Sequence, residues 1–566
     1  MTTMTGSRLI AEMLRDYGVS HVFYIPAMLL GVLAEMEDMP VRRIMTHGEK
    51  SAAYMADGYA RASGRPGICM AQQIGGSNLA AGLRDAYMAC APVIALSGGP
   101  APAAHYRNGY QEVEDLGQFD AVTKFNARVE RVDRLPDLLR QAFRAATTGA
   151  PGPVHLEVQG PHGHVAYQSA DMEPLAEPRF GRLPPFRPVA DEADIGAALA
   201  QLLQAQRPLI VAGGGVASSD ARAEVLRLAE ALSLPVATTL NGKGTIPERH
   251  PLSVGVVGSY SRACANQAVC EADLVFFIGS RTGGQTTVDW QVPPRGTRVI
   301  QLDIDGVELG RNYPNVVSLQ GDAKATLARL LALAADRPPT DRAAWNARTA
   351  GLVADWRAQF EPLRASDAAP LRPERICKEI SDLLPPDGVV VSDTGHSGMW
   401  TGAMLELTQP DQRYIRCAGS MGWGFPGAMG VKCALPDRAV ICFTGDGAFY
   451  YHLAELETAA RFGINLVVVV NNNSALNQEI PLWDNVYPGK SAANARVDDL
   501  WRMRDTNFAE VARSLGCEGI RVTHPSELRG ALEQALAMNR PVVVDVVSGV
   551  DAFAPRAWIP GGTGGY

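Results

Sequence analysis

Two short stretches in the last third of the chain bring together residue types able to hold a cation and a phosphate. One is "GDG", Gly445-Asp446-Gly447, followed by Ala448. The other is "VVVVNNNSA", residues 467–475, in which four valines run into Asn471, Asn472 and Asn473. Four β-branched residues in a row read as a strand buried on both faces, and amides at its end need partners to offset their desolvation. The residues between predict a helix with Leu453, Leu456, Ala459 and Ala460 as its apolar stripe and Gly463 at its end. That makes one βαβ unit whose parallel strand ends lie near each other, so Asp446 and Asn473 can converge on one point. An anionic oxygen, an amide oxygen and nearby carbonyls are ligands for a hard divalent cation such as magnesium, usually shared with phosphate oxygens. The glycines let backbone N–H groups approach a phosphate, and the helix start adds its dipole. Alone, G-D-G is most often a simple turn; the combination at this spacing is far more specific.

The chain that must position these residues has 566 of them, 46% hydrophobic and 20% charged, which is enough for several cores. A net charge of −8 argues against a general nucleic-acid binder, which needs a basic face. No apolar run reaches the roughly 18 to 20 residues of a membrane span. The opening "MTTMTGSRLIAEMLRDYG" predicts a helix capped by Thr5 and ended by Gly18, not a signal peptide. Nine cysteines without a C-x-x-C pair favour free thiols in a reducing cytoplasm.

Pro-rich stretches at 173–194 and 335–345 divide the chain. The expected domains are residues 1–170, 190–335 and 370–550, with a tail at 551–566 able to close over a site. Strands are expected at "HVFYIP", "GICMA" and "PVIALSG" in the first. The second has "RPLIVAGGG", "LPVATTL", "DLVFFIG" and "RVIQLDID", and the third "GVVVSD", "RAVICFTGDG", "NLVVVVNNN" and "PVVVDVVS". Alternation with helical patterns predicts an α/β protein of three parallel-sheet domains, with ligands beyond the carboxyl ends of the strands.

The span from Gly445 to Ala475 resembles the thiamine diphosphate motif of the superfamily that includes acetolactate synthase, pyruvate decarboxylase and benzaldehyde lyase. The resemblance covers essentially the whole chain, in the order pyrimidine-binding, Rossmann-like central and diphosphate-binding domain. It implies that Asp446, Asn473 and the carbonyl of Ala475 hold Mg2+, and that Gly445, Asp446, Gly447 and Ala448 adjoin the diphosphate. "HGEKSAAYMADGYARASG" is similar to the family's glutamate helix and places the catalytic carboxylate at Glu49. The family usually has His before that residue; here it is Gly48, with His47 one earlier. "CAGSMGWGFPGAMG" puts Met421, near Gly419, as the apolar wedge that folds the cofactor into a V. "SDTGHSGMW" offers Gly395, His396 and Ser397 to the diphosphate, and "QQIGGSN" offers Asn78 to the aminopyrimidine, with Gln73 toward the pocket.

Substrate-facing candidates are Gln111 in "NGYQE", as a polarising or proton-relay residue, and Ala27 and Met28, which replace glycines and are expected to narrow the pocket. Asn477, Gln478 and Trp483 are candidates for its wall. In the central segment "GSRTGGQTT" resembles a stretch that touches FAD. Arg281 matches, but Gly283 and Gly284 stand where the family has aspartates, leaving FAD, ADP, part of CoA or no ligand open.

The resemblance implies cleavage or formation of a C–C bond next to a carbonyl, with a 2-oxo acid or 2-hydroxy carbonyl substrate. The alternatives are a CoA-thioester enzyme, such as an oxalyl-CoA decarboxylase or 2-hydroxyacyl-CoA lyase, and a non-catalytic cofactor-binding homologue. The set Glu49, Met421, Asp446 and Asn473 argues against the last. A homodimer or homotetramer with sites shared between chains is also implied.

Overall fold

Buried apolar runs alternating with helices build three parallel sheets of six strands each. The computed structural model describes residues 2–335, 337, 341–487 and 495–564. The first sheet contains β1 (His21–Tyr24), β2 (Arg42–Met45), β3 (Gly67–Ala71), β4 (Val93–Gly99), β5 (Phe125–Val129) and β6 (Val154–Gln159), in the order β2-β1-β3-β4-β6-β5. The second contains β7 (Pro208–Ala212), β8 (Val236–Thr238), β9 (Ser253–Val256), β10 (Leu274–Ile278), β11 (Arg298–Asp303) and β12 (Asn315–Gln320), ordered β9-β8-β7-β10-β11-β12. The third contains β13 (Val389–Ser392), β14 (Arg413–Arg416), β15 (Val440–Gly445), β16 (Val467–Asn472), β17 (Glu518–Val522) and β18 (Val542–Val547), ordered β14-β13-β15-β16-β18-β17. The first and third sheets share one strand order. The second reverses direction between β7 and β10, where open α/β sheets bind ligands.

Every strand read from the sequence is present. The three sheets hold seven more that were not read, β2, β5, β6, β9, β12, β14 and β17, and all but β6 lie at sheet edges; Thr2–Thr5 and Ser169–Met172 also pair, outside these sheets. The first helix, α1 (Gly6–Asp16), begins as expected, with Thr5 Oγ1 accepting the Arg8 N–H, and Gly18 takes φ +78° beyond its end. The single helix expected after "GDG" is instead two, Asp446–Tyr450 and Glu455–Phe462, because the chain turns at 451–454 before Gly463 ends the second at φ +62°. The tail is not a free flap. Residues 557–559 and 562–564 form a small hairpin, and Asn266 of the central domain donates to the Trp558 carbonyl at 2.9 Å. All nine cysteines are free. Among the described residues no helix is long and apolar enough to cross a membrane.

The first and third sheets are joined through one helix pair, α2 (Glu49–Ser63) and α3 (Gly424–Ala434). The helices cross with backbones in contact. A methyl group built on Gly58 would lie 2.0 Å from the Gly427 carbonyl oxygen, and one on Gly430 would lie 1.9 Å from that of Met55. Their flanks share a core in which Ala52, Tyr54 and Met55 meet Trp423, Phe425 and Met429.

Gly430→Ala is expected to lower stability by roughly 1–3 kcal/mol, because overpacking against backbone cannot relax by a rotamer change. Thermal unfolding of the variant measures this, and an unchanged midpoint would show that the helices separate without cost.

Candidate active site

Strands β15 and β16 pair in register, Gly445 opposite Asn471, so Asp446 and the asparagines leave the sheet at the same end. The Asp446 carboxylate is only 3% exposed. Its Oδ1 accepts the Gly447 N–H at 2.7 Å, and its Oδ2 accepts those of Asn473 at 3.1 Å and Ala475 at 3.2 Å. The Asn473 amide oxygen accepts the same Ala475 N–H at 3.1 Å, across a tight turn in which Ser474 has φ +55°. One carboxylate oxygen and one amide oxygen therefore crowd a single N–H. Burial pushes the Asp446 carboxyl up to about 6, against the opposing pull of these N–H groups.

The three asparagines divide their tasks. Asn472 Nδ2 donates to Asp545 Oδ1 and to the Thr506 carbonyl, both at 2.9 Å, and so ties the sheet end together. Asn473 belongs to the Asp446 turn. Asn471 Oδ1 is buried with no partner among the described residues.

The site fits a cation bound to a diphosphate. Its donor set is oxygen only, as magnesium prefers. No group of three or more His, Cys, Asp or Glu among the described residues could hold a metal, so amide and backbone oxygens must complete any coordination. Gly445 leaves the backbone accessible: a methyl group there would meet only Ser397 Oγ, at 3.5 Å. Ser397 lies in the first turn of helix His396–Ala403, whose cap, Gly395, has φ +62°. His396 Nδ1 bonds the Asn477 amide oxygen at 2.7 Å, and Asn477 Nδ2 donates to the carbonyls of Val550 and Ala552. Burial lowers the His396 pKa, favouring the neutral ring. Gln478 approaches Gly395, while Trp483 packs against Tyr487, with ring centres 5.5 Å apart.

Met421 sits in the loop between β14 and α3, and two buried carboxylates hold that loop from opposite sides. Asp85 accepts the N–H groups of Ala418, Gly419 and Ser420 at 2.8–3.1 Å. Asp393 accepts those of Gly422 at 3.1 Å and Gly424 at 2.7 Å. Burial pushes Asp393 up to about 6. Arg61 ties Asp85 to Asp57, which in turn accepts the Trp423 indole N–H at 2.8 Å. Neither Asp85 nor Asp393 figured among the sequence candidates. Each carried a readable signal: an acid among the apolar residues of a helix (Leu79, Leu83, Ala86), and an acid directly after a buried strand.

Glu49 opens α2 behind Gly48, where an acid suits the helix dipole. Asn78 Nδ2 donates to Glu49 Oε2 at 3.2 Å, and Gly75 leaves room for the carboxylate, whose Oε1 would lie 2.6 Å from a methyl group there. His47 turns away, its ring on Glu457 at 2.7 Å and its N–H on Glu455. Gln73 is fully buried and donates to the Val113 carbonyl at 3.1 Å. The side-chain oxygens of Gln73 and Gln111 are both buried without a partner among the described residues. Ala27, at φ +76°, is partly exposed. Met28 is fully buried in the first sheet's core with its tip toward Gly163.

A crevice of about 590 Å³ opens at the carboxyl ends of β7, β10 and β11 of the central domain, with residues 88–90 and 147–151 of the first domain on its other side. Gly214, Gly279, Arg281, Gly284 and Asp303 are among its lining residues.

Three parallel α/β sheets with an acid–amide turn in the third and a glutamate helix in the first define a class of cofactor enzyme, and the comparisons name it. Residues 4–119 match the N-terminal TPP binding domain of thiamine pyrophosphate enzymes, 195–330 the central domain and 393–546 the C-terminal TPP binding domain. The chain belongs to the thiamine pyrophosphate enzyme family and is a thiamine diphosphate-dependent enzyme. It is 33% identical to a probable acetolactate synthase large subunit of Methanocaldococcus jannaschii, over 99% of this chain and 94% of that one. It is 32% identical to the acetolactate synthase large subunit of Parasynechococcus marenigrum (96% and 87%). Identity to the isozyme 1 large subunit of Escherichia coli strain K12 is 30% (96% and 93%).

Asp85→Ala removes the acceptor of three N–H groups, at about 1–3 kcal/mol for buried donors left unpaired. Amide exchange at residues 418–420 is expected to accelerate roughly 10- to 100-fold. Hydrogen–deuterium exchange read by mass spectrometry checks this; unchanged protection would free the Met421 loop from dependence on Asp85.

Proposed function

We propose that this chain is a carboligase of the acetolactate synthase kind, dependent on thiamine diphosphate and Mg2+ and acting on a 2-oxo acid. The observation that carries the reading is the turn on which Asp446 and Asn473 meet over one N–H. The near full-length likeness to proteins named acetolactate synthase supports the reaction type. When bound, thiamine diphosphate supplies an acyl-anion equivalent, through which a C–C bond beside a carbonyl is made or broken.

In this reading Asp446, Asn473 and the Ala475 carbonyl bind the cation. Gly445, Gly447, Ala448, Gly395 and Ser397 present backbone and a helix start to the diphosphate. Glu49, oriented by Asn78, holds a proton at the cofactor's pyrimidine ring. Met421 is the apolar strut beneath the cofactor, with Gly419 in the same anchored loop. The orphaned amide oxygens of Gln73 and Gln111 accept hydrogen bonds from substrate or from a bound water. His396, Asn477 and Gln478 wall the other side.

A second reading, a CoA-thioester enzyme, is favoured by one feature, the central crevice of about 590 Å³. Its size suits an adenine nucleotide portion, whether of CoA, ADP or FAD. A panel of 2-oxo acids and acyl-CoA thioesters, read by mass spectrometry, separates the two. Ligated hydroxy-oxo acids support the first reading, and consumption of thioesters alone replaces it with the second.

The same reading makes the enzyme at least a homodimer with shared sites. Tyr106 and Tyr110, on the loop that bears Gln111, are 85% and 80% exposed, and such bare aromatics suit a covering chain. Glu49→Ala alone is expected to lose about 10²-fold or more in turnover, and Asp446→Ala to lose metal-dependent cofactor binding. Mixing the two inactive variants after dissociation is expected to restore about a quarter of wild-type activity, since half the dimers are mixed and each has one intact site. If tagged pull-down confirms exchange and no activity returns, the shared-site arrangement fails.

Cation binding requires ionised Asp446, whose carboxyl sits at about 6 in the protein without metal. Metal-dependent cofactor affinity is therefore expected to fall about tenfold per pH unit below 6 and to level off above 7. Calorimetry from pH 5 to 8 checks this, with Asp446→Asn as the control for titration of the diphosphate itself. Equal slopes in the two proteins would exclude Asp446 as the titrating ligand.

A further inference from the structure

A second large cavity, about 1170 Å³, lies where the three domains meet, away from the Asp446 turn. The first domain contributes the end of α2 through Ala62 and Arg65, the second contributes Arg222, and the third contributes Arg413 on edge strand β14. The charges around it do not balance locally. Arg61 is neutralised by Asp57 and Asp85, and Lys324 by Asp220 at 2.6 Å. Arg222 and Arg413 have no carboxylate within ion-pair distance among the described residues. Arg222 Nη1 donates to the Gln412 carbonyl at 3.3 Å, and Arg413 Nη1 to that of Ala62 at 3.1 Å. Asp220 and Asp411 are close enough to attract both but pair with neither, while Arg438 adds further positive charge.

Each guanidinium carries five N–H donors. One carbonyl apiece leaves most of them without a protein partner among the described residues, on two side chains that line the cavity. Burial, and then mutual repulsion with Arg413, pushes Arg222 down to about 10. Two half-buried like charges side by side cost stability unless an anion lies between them.

We propose that this three-domain cavity binds a small oxyanion-bearing metabolite, a phosphate or a carboxylate, clamped between Arg222 and Arg413. Guanidinium forks match both groups bidentately. The volume accommodates a ligand up to nucleotide size. The cavity adjoins the central crevice along Ala89, Cys90, Leu183, Gly214, Ser218 and Asn241, but Arg222 and Arg413 line this cavity alone and Arg281 the crevice alone.

The test uses protein saturated with thiamine diphosphate and Mg2+, so that the catalytic site cannot take the probe. Thermal unfolding is followed with inorganic phosphate and, separately, with succinate, at ionic strength balanced by chloride. A rise of about 2 °C or more is expected with at least one probe. The shift should vanish in the Arg222→Gln/Arg413→Gln double variant and persist in Arg281→Gln. A shift with phosphate alone assigns a phosphorylated ligand, and with succinate alone a carboxylated one. No shift with either, or an equal shift in the double variant, overturns the proposal. Should the double variant not fold, dicarbonyl modification of wild-type arginines, mapped by mass spectrometry, decides. The probe must protect Arg222 and Arg413 several-fold while leaving the exposed Arg131 unprotected; equal modification with and without the probe overturns the proposal.

Discussion

The backbone contact between the glutamate helix and the helix that follows Met421 is the constraint on which the remaining structure depends. Gly58, Gly427 and Gly430 let the two helices approach until carbonyls nearly touch the facing Cα atoms. At that distance the first and third sheets share one core, and small polar clusters at the seam must be satisfied completely or not form. The Asp57–Arg61–Asp85 cluster lies on this seam, where its charges are desolvated and paired. Breaking one partner of such a cluster strands the others, so it demands a single registration of the helices.

That registration places Asp85, a first-domain residue, beneath three consecutive N–H groups of the third domain. Asp393 completes the hold from the other side. The loop bearing Met421 is thus fixed in part by Asp85, a residue of another domain, while the Asp446 turn is assembled almost wholly from its own βαβ unit. One half of the candidate site is local, and the other is a product of domain packing.

Strand visibility in the sequence followed the same division. The interior strands β1, β3, β4, β7, β10, β15, β16 and β18 are apolar on both faces and announce themselves. The edge strands are polar on the side facing solvent: β12 alternates Val317 and Leu319, which are buried, with exposed neighbours, and β14 reads Arg-Tyr-Ile-Arg. β6 is the instructive exception. It is interior, yet His155 and Glu157 occupy its buried positions, their polarity absorbed by Ser97, Asn126 and Arg128 on neighbouring strands. No pattern of a single segment can reveal partners of that kind.

The sequence by itself determined the α/β class, the convergence of Asp446 with Asn473, the cap and end of the first helix and the family to which the chain belongs. The convergence and the cap rest on neighbours within one supersecondary unit, and the class and family on patterns repeated along the chain; for both, residue spacing and burial pattern are enough. Only the tertiary structure decided that Asn472 ties the sheet end, and that Met28 fills a core. The same holds for the hold of Asp85 and Asp393 on the Met421 loop, and for the meeting of Arg222 and Arg413 across a three-domain cavity. Those outcomes depend on which groups meet when elements pack, and that is set by contacts between residues from about thirty to more than three hundred positions apart.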